Sequence, residues 1–185
     1  MATHLRVPDY IPSARQTKFH TSTAFETLYG GAAGGGKTTA VVAEAITFAL
    51  QWPKARIYMF RRTIPELKQS IVPEIYKQAG AYIDSGGMKE HSQDRRFTFK
   101  NGSIIQLAYL ENAADMYKYQ SAEMHLLLID ELTHFTQDEY EYLKTRIRST
   151  GEHPLKVMCA TNPGNIGHGW VKAYFIDIAP PETIY

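Results

Sequence analysis

The chain has 185 residues, of which 44% are hydrophobic and 21% charged, so it has the length and composition of one globular domain with a buried core. Twenty Lys and Arg residues nearly balance 19 Asp and Glu residues, and the net charge of +1 excludes a chain that is basic throughout, as many nucleic-acid-binding proteins are. The single cysteine, Cys159, excludes an internal disulfide framework. The sequence also lacks the uninterrupted apolar run of about 18 residues that a membrane span needs, so we expect a soluble cytoplasmic protein.

Short apolar runs alternate with helical patterns along the chain, which predicts a parallel sheet covered by helices. The pattern predicts a strand at 25–29, a helix at 38–51 and a second strand at 56–60. A helical pattern follows at 64–78, which Pro73 should kink or divide. The first half of the chain therefore has the β-α-β-α order of a parallel sheet.

The middle of the chain departs from this order. Two runs with strand character, 96–100 and 104–109, flank Asn101 and Gly102. Because both turn residues tolerate positive φ, this pair is a strong signal for a tight β-hairpin. We expect the antiparallel hairpin to lie at an edge of the sheet.

The parallel pattern then resumes. It predicts strands at 125–129 and 155–160, and helices at 137–148 and 168–176. The chain stops nine residues after the last of these helices. We therefore expect residues 1–185 to form one domain that is part of a longer protein.

A glycine-rich loop at 31–38, GAAGGGKT, matches the phosphate-binding motif G-x-x-x-x-G-K-[ST] in full. Its glycines let several backbone N–H groups point at an anion, and the N-terminus of the following helix adds further N–H groups and a dipole. Lys37 is predicted to contact the β- and γ-phosphates of ATP, and the Thr38 hydroxyl to bind Mg²⁺. The order of strand, loop and helix makes a chance glycine turn a poor alternative. The predicted nucleotide contacts of this loop are Gly31, Ala32, Ala33, Gly34, Gly35, Gly36, Lys37, Thr38 and Thr39.

Four apolar residues at 126–129 lead into Asp130 and Glu131. Parallel sheets bind ligands at the carboxyl ends of their strands, so Asp130 is predicted to hold Mg²⁺ and Glu131 to orient or deprotonate the attacking water. A strand that ends in two acids is common and would be weak evidence alone. Its position 92 residues after Thr38 (130 − 38), with another strand between, makes the pattern specific.

Polar residues at two other places are further candidates. Thr161 and Asn162 follow the strand at 155–160 and could contact the γ-phosphate, although a plain turn at Pro163-Gly164 explains them equally well. Gln16 precedes the first strand, and its amide can both donate to and accept from adenine. On spacing alone, an ordinary surface glutamine is the more frequent explanation.

Basic residues form three clusters, which predict contacts with a phosphate backbone or an arginine finger that acts on the γ-phosphate. For any single residue, a solvated surface is the alternative. Arg62 is the first candidate for the finger because it follows the strand at 56–60 at the ligand-bearing edge, and Arg146 is the second. The clusters are Arg56/Arg61/Arg62, Arg95/Arg96/Lys100 and Lys144/Arg146/Arg148.

Together these motifs resemble the large terminases, the packaging ATPases of tailed phages, over about residues 12–176. The glycine-rich loop and the acidic strand end are similar to the Walker A and Walker B motifs of that family. Gln16 with Phe19 is similar to its adenine motif, and residues 159–164 to the coupling motif that links the state of the γ-phosphate to movement. The most specific likeness lies at 167–175, GHGWVKAYF.

The resemblance implies a RecA-like α/β P-loop fold of the additional-strand catalytic glutamate type, with ATP and Mg²⁺ as cofactors. It implies ATP hydrolysis coupled to the translocation of double-stranded DNA into the procapsid. The implied partners are the portal protein and the small terminase subunit, in the cytoplasm of the infected bacterial host. The implied assembly is a ring of copies on the capsid, whereas the isolated chain is expected to be a monomer and a weak ATPase.

The sequence departs from the family pattern in two respects, so two properties of the family are not expected of these residues. Family members continue into a lid and an RNase H-like nuclease domain; this chain ends before them, so we expect no nuclease activity from these residues. Some terminases carry an arginine inside the Walker A loop, whereas the segment from Gly30 to Thr39 has none, so any finger must come from elsewhere.

Two other function classes share part of the motif set. A superfamily helicase or remodelling ATPase has the glutamine, both Walker motifs and the Thr-Asn element, but should carry a second RecA-like domain. A non-catalytic nucleotide switch has no need of Glu131, which argues against that class.

Overall fold

The computed structural model describes residues 7, 10–31 and 34–177 of the chain. Seven strands form one sheet: β1 Glu26–Gly30, β2 Arg56–Arg61, β3 Met88–His91, β4 Arg96–Phe99, β5 Ile104–Tyr109, β6 Leu126–Asp130 and β7 Lys156–Thr161. Their order across the sheet is β1-β7-β6-β2-β5-β4-β3. The strands from β1 to β5 in this order are parallel, and β4 and β3 extend one edge in antiparallel pairing.

Helices cover both faces of the sheet. They are α1 Ala14–Thr21, α2 Lys37–Gln51, α3 Ile64–Glu66, α4 Val72–Asp84, α5 Gln137–Lys144 and α6 His168–Lys172. Two π-helical turns, Leu67–Ile71 and Ala173–Asp177, and two 3₁₀ turns, Ala113–Tyr119 and Leu132–His134, complete the described elements. One apolar core joins α1, α2 and α4 to the sheet, and a second core on the opposite face joins it to α5 and α6. Within the described residues, no helix combines the length and apolar character required to cross a bilayer.

The strand β6, in the middle of the five parallel strands, explains the run of apolar residues that precedes the two acids. All five of its residues are buried because helices cover both faces of the sheet at this strand. Its neighbour β7 is also buried along most of its length and carries Cys159. Burial raises the pKa of the Cys159 thiol above its ordinary value, so the thiol stays protonated and packs as an apolar group.

The predicted α/β fold class, with a mostly parallel sheet and an antiparallel hairpin at an edge, is confirmed. The hairpin turn lies at Asn101-Gly102, where Gly102 has φ of +84°. One detail differs, because β5 is an internal strand that pairs with β2 on its other side. The edge strand is β3, which sequence analysis missed because only Met88 of its four residues is buried.

Three helices differ from the predictions in their bounds or in their presence. The predicted helix at 64–78 is divided by a π-helical turn, and Pro73 lies directly after that turn, near the start of α4. The helix predicted at 137–148 ends at Lys144, because the chain then turns and Ile147 bridges to Met124 beside β6. The helix α1 was not predicted, although Ser13 and Gln16 form a capping box at its start.

Replacing Phe19 with Ala tests how α1 is attached to the domain. The Phe19 side chain is fully buried and packs on the Tyr29 ring, with ring centroids 5.5 Å apart. We expect Phe19→Ala to lower the free energy of unfolding by about 3–5 kcal/mol, as for other buried aromatic residues. Denaturant unfolding measures this, with Phe25→Ala as the control because Phe25 is 47% exposed. Equal losses in the two variants would contradict this packing.

Candidate nucleotide site

The glycine-rich loop connects β1 to α2 at the carboxyl edge of the sheet. Gly36 caps α2 with φ of +67°, a left-handed conformation that glycine adopts without strain. The Lys37 side chain is nearly buried, and its Nζ donates a hydrogen bond of 3.1 Å to the Gly31 carbonyl. This lysine therefore reaches back across the loop, where the motif predicts the phosphates. Ala32 and Ala33, two of the predicted contacts, lie outside the described residues.

Asp130 lies beside this loop at the end of β6. Its Oδ2 accepts a hydrogen bond of 2.9 Å from the Thr38 hydroxyl, although 92 residues separate the two in sequence. The same oxygen accepts hydrogen bonds from Nη2 and Nε of Arg61, at 2.6 and 3.0 Å. The Asp130 carboxylate is only 2% exposed, so these three donors replace the water that it loses on burial.

Arg61 is a site residue that sequence analysis did not single out. It is the last residue of β2, which pairs directly with β6, and its side chain is 12% exposed. The sequence signal was present, because Arg61 lies at a strand end on the ligand-bearing edge. The pattern could not decide between Arg61 and Arg62, since adjacent residues of an extended chain point to opposite sides.

Glu131 and Asn162 meet at the ends of the adjacent strands β6 and β7. Glu131 Oε1 accepts a hydrogen bond of 2.7 Å from the Asn162 side-chain amide, and Oε2 accepts one of 3.3 Å from its backbone N–H. Glu131 has φ of +60°, a conformation that is unfavourable for a residue with a side chain and that is common at functional sites. Thr161 does not join this contact; its hydroxyl bonds to Thr133 instead.

The first helix brings Gln16 to the loop from the other side. Gln16 Oε1 accepts from the Ser13 backbone N–H, and Nε2 donates to the Gly36 carbonyl at 2.9 Å. Both ends of the amide are therefore engaged by the protein, and the adenine contact stays a prediction. Phe19 is fully buried, so in this structure it supports α1 and offers no face to a base.

A family model described as terminase large subunit, T4likevirus-type, N-terminal, matches residues 28–177 of the chain. The chain belongs to this terminase family. The match covers the loop, both acidic residues and the segment at 167–175 on which the predicted resemblance rested. The predicted family is thereby confirmed.

Solved structures of phage packaging proteins have the same fold. The large terminase of a thermophilic bacteriophage has a TM-score of 0.73 and 19% identity, over 91% of this chain and 43% of that one. The large terminase ATPase domain of Thermus phage P74-26 has a TM-score of 0.63 and 14% identity, over 91% and 71% of the two chains. The N-terminal domain of the DNA packaging ATPase from bacteriophage phi29 has a TM-score of 0.56 and 17% identity, over 84% and 81%.

The terminase domain thus spans less than half the length of the first of these proteins, the large terminase of the thermophilic bacteriophage. At these identities the likeness establishes the fold, which here includes β7 inserted between the strand of the phosphate loop and the strand of the two acids. That inserted strand is the additional strand that the resemblance implies. No curated protein matches the chain.

Two oxygen ligands in this terminase domain fit Mg²⁺. The Thr38 hydroxyl and the Asp130 carboxylate are adjacent at the start of α2. Among the described residues, no group of three or more His, Cys, Asp or Glu side chains could hold a metal ion. Magnesium at nucleotide sites needs no such group, because phosphates and water supply most of its ligands and protein residues only one or two.

Arg62, the first candidate for an arginine finger, is engaged in a different part of the terminase domain. Its Nη1 lies 2.8 Å from both carboxylate oxygens of Glu139, and its Nη2 donates to the Glu111 carbonyl. The guanidinium also lies over the Phe135 ring, 5.6 Å from its centroid. Glu139 in turn caps the first turn of α5. Arg62 therefore joins α5 to the end of β2, and a finger role would require it to leave Glu139.

Arg146, the second candidate, lies near the amino-terminal start of β6, opposite the strand ends that carry the candidate nucleotide site. Its backbone carbonyl accepts from the N–H of Met124, which precedes β6, and its guanidinium bonds to the Gln120 carbonyl and to Thr145. The seven residues from Met124 to Asp130 span about 20 Å in an extended strand, at about 3.3 Å for each of six steps. Arg146 therefore cannot reach the phosphate loop of its own chain, and a finger role across a subunit interface stays a prediction.

Substitution of Arg62 tests whether this residue stabilises the fold. We expect Arg62→Ala to lower the free energy of unfolding by about 2–4 kcal/mol, because Glu139 (3% exposed side chain) would keep an unpaired charge. The additional change Glu139→Gln should recover part of this loss, since it removes that charge.

Denaturant unfolding of both variants measures the effect. Lys77→Ala is the control, because its ion pair with Glu74 is exposed and should contribute less than about 1 kcal/mol. An Arg62→Ala variant of unchanged stability that had lost ATP turnover would instead support the finger.

Proposed function

We propose that this terminase domain hydrolyses ATP and that hydrolysis drives double-stranded phage DNA into a procapsid. The observation that carries the proposal is the meeting of four elements at one edge of the sheet. The phosphate loop, the Thr38–Asp130 pair, Glu131 and Asn162 come from distant parts of the sequence and lie on the carboxyl ends of neighbouring parallel strands. This is the edge at which parallel α/β sheets bind ligands.

The phosphate loop and Lys37 account for nucleotide binding. The backbone N–H groups at the start of α2 and the Lys37 ammonium group place positive charge where the β- and γ-phosphates would lie. Thr38 and Asp130 would hold Mg²⁺, which when bound neutralises negative charge on the phosphates. Together these groups supply preorganised electrostatic stabilisation, the main contribution that a protein makes to phosphoryl transfer.

Glu131 is the residue that we assign to the attacking water. A carboxylate at the end of β6, next to the phosphate loop, can orient a water molecule and accept its proton. Asn162 holds this carboxylate from the neighbouring strand, so a change at the γ-phosphate that moves Glu131 also pulls on the end of β7. The chain continues from there into α6, which makes Asn162 a direct connection between hydrolysis and movement.

Arg61 adds positive charge to the same place. Its guanidinium donates to the same Asp130 oxygen that accepts the hydrogen bond from the Thr38 hydroxyl, so it lies beside the loop that is predicted to bind the phosphates. Arg62 is turned away toward Glu139. We therefore assign to Arg61 the contact with the γ-phosphate that an arginine of the same subunit would make.

The further domains, the partners and the place of action of the whole protein are inferred from family membership. We infer that a lid and a nuclease domain follow this domain, and that copies assemble as a ring on the capsid with the portal protein and the small terminase subunit as partners. The place of action is then the cytoplasm of the infected bacterium. A helicase or remodelling ATPase remains the second candidate on motifs alone, and the family match favours the terminase.

Paired substitutions test the catalytic assignment. Glu131→Gln keeps the size and the hydrogen bond to Asn162 but removes the base, so we expect ATP affinity to be retained and turnover to fall by at least about 10²-fold. Lys37→Ala should instead weaken ATP binding and abolish turnover. Calorimetric ATP binding and steady-state phosphate release measure the two effects. Turnover close to that of the unchanged chain in either variant would contradict the proposal.

The γ-phosphate contact assigned to Arg61 is tested by comparing the binding affinities of two nucleotides, ATPγS and ADP. A charge-assisted hydrogen bond to the γ-phosphate contributes about 1.5–3 kcal/mol, so Arg61→Ala should weaken binding of ATPγS by about 10–100-fold. The affinity for ADP, which lacks that phosphate, should change by less than about threefold, and Arg61→Lys should recover part of the loss. Equal losses for both nucleotides would show that Arg61 only supports the fold around Asp130.

A further inference from the structure

A groove with a volume of about 790 Å³ lies on the same face of the sheet as α5 and α6. Its floor is formed by Arg56 and Tyr58 of β2 and Gln106 of β5, and its walls by the segments at 118–125 and 149–153. None of the residues that line it belongs to the nucleotide site described above. The groove is therefore a second concave surface with its own chemistry.

Positive charge is concentrated in this groove. Lys54, Arg56, Arg95 and Lys118 line it, against one lining carboxylate, Glu123. The whole chain has a net charge of only +1, so this surface carries a local excess that the composition concealed. Arg56 and Arg95 come from two different basic clusters of the sequence, and the fold brings them to one place.

Three of these four cations have no ion-pair partner within the described part of the chain. Lys118 pairs with Asp115, whereas Lys54, Arg56 and Arg95 make no such pair. The Nε of Arg95 is buried without any hydrogen-bond acceptor, and its guanidinium lies 5.4 Å from the centroid of the Tyr109 ring. Arg61 and Arg62, by contrast, each bond to a carboxylate. Unpaired cations that share a groove repel one another, so their arrangement favours an anionic ligand.

The shape and the other donors of the groove indicate what kind of anion it fits. The β5 residues that line the groove, Gln106, Leu107 and Tyr109, extend over about 10 Å, which matches about three nucleotide steps of 3.4 Å. Hydroxyl groups of Tyr58, Ser149 and Thr150 also line it. Cations with hydroxyl donors are the groups that contact phosphates and sugars, which carry no sequence information.

We propose that this groove binds the sugar–phosphate backbone of DNA. The proposal rests on the proposed function. A motor that moves DNA of any sequence needs contacts that do not depend on the base sequence. The strand β2 gives the groove a direct connection to the nucleotide site, since Arg56 lies at its start and Arg61 at its end. A shift of this strand on hydrolysis would move the DNA contact.

The test is the salt dependence of DNA binding by the full chain. Fluorescence anisotropy with a labelled 30-base-pair duplex, over a series of salt concentrations, compares the unchanged chain with Lys54→Gln/Arg56→Gln/Arg95→Gln. We expect the triple variant to bind at least about tenfold more weakly at about 50 mM salt, and the slope of log K against log salt to shrink by about 2–3, since each phosphate contact contributes about 0.9.

Two further variants separate this site from general charge effects. Lys18→Gln/Lys68→Gln/Lys77→Gln removes the same charge from exposed positions outside the groove and should change DNA affinity by less than about twofold. Lys54→Arg/Arg56→Lys/Arg95→Lys keeps every charge and should retain most of the affinity and the slope. Thermal unfolding of each variant establishes that it is folded.

Several outcomes would overturn the groove assignment. These are no DNA binding by the unchanged chain at low salt, equal weakening in the triple variant and its control, or a slope that does not change. A triple variant that loses self-association but not DNA affinity would make the groove a subunit interface instead. ATPγS affinity and ATP turnover, measured on the same samples, keep the two proposals apart. Normal turnover with an unchanged DNA slope refutes only the groove, whereas absent ATPγS binding by the unchanged chain refutes the proposed function.

Discussion

The buried carboxylate of Asp130 is the group on which the arrangement of the site depends. A carboxylate that is 2% exposed must be compensated by donors or cations, and here they come from Thr38 on α2 and Arg61 on β2. The charge thus connects β6 to the helix α2 and to the neighbouring strand β2. A cation bound at Asp130 would therefore compete with the groups that join these elements.

The strand β7 links further parts of the candidate site. It lies between β1, which leads into the phosphate loop, and β6, which ends in the two acids. Asn162 at its end holds Glu131, and Thr161 bonds to Thr133 in the turn that follows Glu131. The strand is buried along most of its length and paired on both sides. The left-handed backbone of Glu131 directs its carboxylate to this neighbour.

The arginines of the domain differ by their partners rather than by their spacing. Arg61 and Arg62 are adjacent in sequence, yet Arg61 bonds to Asp130 and Arg62 to Glu139, because successive residues point to opposite sides. Arg56 and Arg95 share a groove although they belong to different sequence clusters, and neither is neutralised by a carboxylate within the described residues. The carboxylates around each arginine thus separate those that are neutralised within the fold from those that are not.

The sequence by itself determined the features that depend on local chemistry. The phosphate loop, the buried strand before Asp130 and the Asn101-Gly102 turn are specified by residues within a few positions of one another, where steric and hydrogen-bonding preferences act directly. Only the tertiary structure decided which distant groups meet. The Glu131–Asn162 contact, the choice of Arg61 over Arg62 and the basic groove depend on strand order and on the direction of each side chain. These follow from how the sheet and its helices bury their apolar faces, which no short stretch of sequence records.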